Sequence, residues 1–81
     1  MHNAIKYKDL PFCVKLKMVR ELRGYTVKEI ASELDITPRA YLYYESGKVD
    51  ITISKLNLIC SILSCTVDDI VSFDPSDLFH K

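Results

Sequence analysis

Long apolar runs, histidine and glycine are what this chain has least of, and each shortage closes a class of function. No apolar stretch in the 81 residues approaches the roughly 18 that a membrane-spanning helix needs. The opening MHNAIKYKDL lacks the apolar core of a secretory signal, so the cytoplasm is the expected compartment. His2 and His80 stand at opposite ends and are the only histidines. They leave no ligand cluster for a metal and no base beside a nucleophile. The three cysteines, Cys13, Cys60 and Cys65, are odd in number, and their gaps of 47 and 5 fit neither zinc-site nor redox spacing. Cys13 and Cys60 are expected as small buried hydrophobes in a reducing compartment. Two glycines make no phosphate-cradling loop. No cofactor, no metal and no enzymatic activity is expected.

What is present points to one small helical domain. Hydrophobic residues at 48% and charged residues at 27% are ordinary for a globular chain. Few glycines and only three prolines, set among many Leu, Ile, Lys and Glu, favour helices. Net charge is zero, which argues against a nucleic-acid partner when taken alone. The halves differ, however. Residues 1–48 carry nine Lys/Arg against six Asp/Glu, a net +3, and residues 49–81 carry two against five, a net −3. A basic half and an acidic half suit a protein that sets its N-terminal helices on phosphate.

The stretch from Thr26 to Gly47, TVKEIASELDITPRAYLYYESG, organises the rest. Thr26 and Glu29 have the spacing of a capping box, and Val27, Ile30, Ala31 and Leu34 form one apolar stripe at helical period. Asp35, which tolerates a left-handed turn, ends that helix. Thr37 caps the next one, Pro38 fits its first position, and Gly47 stops it after Ser46. On a helical wheel of about 100° per residue, Ala40, Tyr41 and Tyr44 face the first helix. Arg39, Leu42, Tyr43 and Ser46 face outward. Two helices joined by so short a turn are a helix-turn-helix unit.

Around this unit the chain divides into an arm (1–9), a domain (10–73) and a tail (74–81). Asp9 is expected to cap a first helix starting at Leu10–Pro11, with Phe12, Leu16, Val19 and Leu22 inward, Lys15, Lys17 and Arg23 solvated, and Gly24 at its end. Thr52 is the expected cap of a fourth helix, with Ile53, Leu56, Ile59, Cys60 and Leu63 inward. Thr66 and Asp69 open a short fifth helix carrying Val67, Ile70 and Val71. The fold class is all-α, five helices in one domain.

The segments LKMVRELRGYT (16–26), KEIASELDITPRAYLYYESGK (28–48) and ISKLNLICSILSCTVDDI (53–70) together resemble the Cro/repressor-type helix-turn-helix family, also called XRE or lambda-repressor-like. The resemblance covers roughly residues 14–71. It implies a lambda-repressor-like DNA-binding domain, a structural ion pair between Arg20 and Glu45, and a close helix crossing at Ala31. It also shows departures: Val27 replaces a glutamine that in many members orients on the phosphate backbone, Asp35 and Ser64 replace glycines, and Ile51 stands where proline is frequent. With Val27 in place, Lys28, Lys48 and helix N-terminal amides would carry more of the phosphate contact.

The function so implied is sequence-specific binding of double-stranded DNA by a repressor-like transcriptional regulator, with the helix at about 37–46 in the major groove. By the family's geometry Pro38, Arg39 and Tyr43 reach the DNA, with Leu42 at the flank. Arg39 is the sharpest candidate, since its fork suits guanine O6 and N7 and such a pair discriminates by roughly 1–3 kcal/mol. Tyr43 suits phosphate or sugar, Thr37 caps the helix and can share its hydroxyl with phosphate, and Lys28 and Lys48 suit phosphate generally. A homodimer on two half-sites is expected, with Leu58, Ile62, Phe73, Leu78 and Phe79 as its candidate surface. The residues leave a second function open, a protein-interaction adaptor or antitoxin-like partner, favoured by the neutral net charge, by Val27 and by Leu42 facing outward.

Overall fold

The computed structural model describes residues 10–74. The described chain forms five helices: α1 (Phe12–Leu22), α2 (Val27–Glu33), α3 (Pro38–Ser46), α4 (Ile53–Leu63) and α5 (Val67–Val71). The last four each begin on a threonine whose hydroxyl accepts an amide of the first turn: Thr26 from Glu29, Thr37 from Ala40, Thr52 from Lys55 and Thr66 from Asp69. At α2 and α5 the acidic residue reaches back to the threonine amide and completes a capping box. α1 differs. Its N-cap is Pro11, with no side-chain cap, and the helix opens at Phe12 rather than at Leu10; Asp9 lies outside the described residues.

Four of the helix ends share one closure. An amide two or three residues past the helix returns to a carbonyl five positions earlier, as Tyr25 to Arg20 (3.1 Å), Ile36 to Ala31 (3.0 Å), Lys48 to Tyr43 (3.1 Å) and Cys65 to Cys60 (3.0 Å). Each closure needs one left-handed residue. Gly24 and Gly47 fill that role at φ 82° and 78°, and Asp35 and Ser64 at 59° and 57°.

These sharp turns fold the helices onto one core of Leu16, Val19, Ile30, Ala31, Leu34, Tyr41, Ile59, Cys60, Leu63 and Ile70. α3 packs against both α1 and α2, α5 against α1, and α4 against α2 and α5. Ala31 is fully buried; its methyl leaves room for neighbouring helices to approach. Several side chains fall elsewhere than the helical wheels place them. Leu22 and Ile53, expected inward, are exposed at 54% and 78%, because each sits at a helix end where no neighbouring helix extends to cover it. Lys15, expected in solvent, is 5% exposed. Its aliphatic stem lies in the interior and its Nζ donates to the Val71 carbonyl at 2.7 Å, at the carbonyl-rich end of α5. Cys60 is buried, whereas Cys13 and Cys65 are only half-buried.

Candidate nucleic-acid interface

The inner face of α3 fixes how its outer face is presented. Tyr41 is wholly buried and meets the half-buried Tyr44 edge to face, ring centroids 6.1 Å apart at 85°. One turn after Tyr41, the Glu45 carboxylate accepts two hydrogen bonds from one guanidinium: Arg20 Nε to Oε2 at 2.6 Å and Nη2 to Oε1 at 3.1 Å. Arg20 Nη1 donates in addition to the Tyr25 carbonyl at 2.6 Å, at the end of α1. Both paired side chains are almost fully enclosed, at 7% and 4% exposure. The bonds to Glu45 raise the guanidinium pKa above its ordinary value, partly opposed by burial. Burial also pushes the Tyr41 phenol up, and the adjacent Glu45 carboxylate adds to the rise. The Tyr41 hydroxyl itself has no hydrogen bond of acceptable geometry.

With its inner face held at two successive turns, α3 presents Arg39, Leu42, Tyr43 and Ser46 on the exposed side, together with Pro38 at its start. Arg39 has no ion pair or hydrogen bond among the described residues. Leu42 is 47% exposed and Tyr43 38%. The Thr37 oxygen is occupied as a cap, 3.1 Å from the Ala40 amide. Lys28 and Lys48 are exposed, in the first turn of α2 and just past the end of α3. The structure thus leaves Arg39 and Tyr43 exposed on α3, Lys28 on α2 and Lys48 just past α3. It also adds Lys17 of α1, which lines a shallow groove with Arg20, Val27, Leu42, Glu45 and Ser46. Sequence reasoning placed Lys17 in solvent and went no further. The signal was its i, i+3 relation to Arg20, which sets it on the same side of α1 as the tie to α3.

A helix-turn-helix family model matches residues 16–70, from the core leucine of α1 to the core isoleucine of α5. The chain belongs to the helix-turn-helix family. Its type is that of the Cro/repressor or XRE proteins, and it is a DNA-binding regulator. No curated protein and no solved structure matches it significantly. In this helix-turn-helix protein, α2 and α3 form the unit that names the family, and no helix among the described residues is long and apolar enough to cross a membrane.

The residues expected at a dimer surface differ in exposure. Leu58 is exposed at 45% on α4. Ile62 and Phe73 are half-buried and pack against the chain's own core. Leu78 and Phe79 lie outside the described residues.

Proposed function

We propose that this protein is a repressor-like, sequence-specific regulator that inserts α3 into the major groove of double-stranded DNA. The observation that carries this reading is Arg39: an unpaired guanidinium on the exposed face of a helix whose opposite face is pinned by Tyr41 and Glu45. Because that face is fixed, the guanidinium is presented with little freedom left in the helix beneath it, as bidentate recognition of guanine requires. Pro38 and Thr37 begin the helix, Tyr43 takes phosphate or sugar, Leu42 borders the contact, and Lys28 and Lys48 hold phosphates on either side. Binding as a homodimer to an inverted repeat follows from the small footprint of one domain, with exposed Leu58 as the described residue best placed to join two copies. Replacing Leu58 with Glu then leaves a folded monomer; an unchanged sedimentation mass contradicts the dimer.

One observation favours a second function, a protein-interaction adaptor: the outward Leu42, half of whose surface is in water. Selection of bound duplexes from a random pool separates the two. A regulator enriches an inverted repeat, and its binding weakens steeply with salt. A folded protein that enriches nothing at low salt is the adaptor.

A further inference from the structure

Lys17 is exposed and has no hydrogen bond or ion pair among the described residues. It lines the groove between α1, α2 and α3 together with the Arg20–Glu45 pair, Val27, Leu42 and Ser46. The charges in that groove are unevenly committed. Arg20 is paired with Glu45, which accepts two of its three hydrogen bonds, and among the described residues Glu45 is the carboxylate that lines the groove, Glu21 standing outside it at 3.9 Å from Arg20 Nη2. The lysine is therefore the one free charge there, next to an apolar shelf made by Val27 and Leu42. A strand of duplex DNA alternates an anionic phosphate with an apolar sugar edge, and a cation beside an apolar shelf complements that alternation.

We propose that Lys17 holds one backbone phosphate of bound DNA, with Val27 and Leu42 against the adjoining deoxyribose. This rests on the reading of α3 as the DNA-contacting helix, since Leu42 lies on its outward face. Lys17 positions the duplex and reads no base, so its loss weakens all sequences alike.

The test is the slope of log K against log salt for a mixed-sequence duplex, compared among wild type, Lys17→Gln and Lys17→Arg. Each phosphate neutralised contributes about 0.9 to that slope. Lys17→Gln is expected to lower it by about one and to weaken binding, while Lys17→Arg keeps the wild-type slope. An unchanged thermal midpoint shows that the fold is intact, as an exposed position predicts. A wild-type slope in Lys17→Gln, with wild-type protein binding DNA, overturns this inference alone. Absence of duplex binding by wild type at low salt overturns it together with the reading on which it rests.

Discussion

The two faces of α3 obey different rules although they alternate along nine residues. On the inner face every position is determined by a neighbour: Tyr41 by the core, Tyr44 by Tyr41, Glu45 by the Arg20 fork. On the outer face Arg39, Leu42 and Tyr43 are exposed, and none contributes to the buried core. The difference teaches that side chains doing little for the fold, held on a helix fixed by others, are the ones free to be set by a partner. Substitutions on the inner face should therefore act on stability, and those on the outer face on binding.

The largest break in this contrast comes from Glu45→Ala. It leaves the Arg20 guanidinium enclosed without its carboxylate, and loss of one partner of a buried pair costs about 3–5 kcal/mol. Urea unfolding should show a free energy of unfolding lowered by that amount. A loss below about 1 kcal/mol would place the pair among weak surface bridges. Removing both partners by apolar residues of similar size should cost far less than removing one.

Next in size is Arg39→Ala, expected to change stability by less than about 0.5 kcal/mol while forfeiting roughly 1–3 kcal/mol of discrimination at one base pair. Tyr41→Phe sharpens the inner-face account from the other side. Its hydroxyl is buried without a partner, so deleting it should leave stability unchanged or raise it by about 1 kcal/mol. A clear loss would mean that the hydroxyl has a partner in solution.

Helix ends offer a smaller test. Ser64 and Asp35 both hold left-handed backbone, which is strained for a residue with a Cβ. Ser64→Gly should stabilise by about 0.5–1 kcal/mol, and Asp35→Gly by less, since aspartate accepts that conformation more readily. The smallest expected effect is at Asp69. Hydrogen bonds from the Thr66 amide hold its carboxyl below the ordinary 3.8. A depressed folded-state pKa gives stability that is complete above 3.8 and lost as pH falls through the lower, folded-state value. Thermal midpoints of Asp69→Asn and wild type should therefore converge in acid and separate slightly above that range.

The features legible in the sequence are those decided within a few residues. Thr26 with Glu29, Thr37 with Pro38, Thr52, and Thr66 with Asp69 announced four helix starts, and Gly24, Asp35 and Gly47 announced three ends. Capping depends on local spacing alone. Leu22, Ile53 and Lys15 were misplaced for the opposite reason. A wheel gives the side of a helix on which a residue falls, but not how far the neighbouring helix extends to cover it. The Lys15 side chain is enclosed because α5 ends beside it with an open carbonyl, a relation spanning 56 residues that no local pattern encodes. Lys17 escaped notice likewise, since its place beside Leu42 depends on how α1 crosses α3.

The central claim is that α3 is held by its inner face in order to present Arg39. The most direct test is duplex selection with Arg39→Ala alongside wild type, together with the unfolding curve of each. The account predicts coincident unfolding curves, one recovered inverted repeat, and relaxed preference at one guanine position per half-site in the variant. The same repeat recovered at full stringency by Arg39→Ala would contradict it, and base reading would then belong elsewhere on the protein.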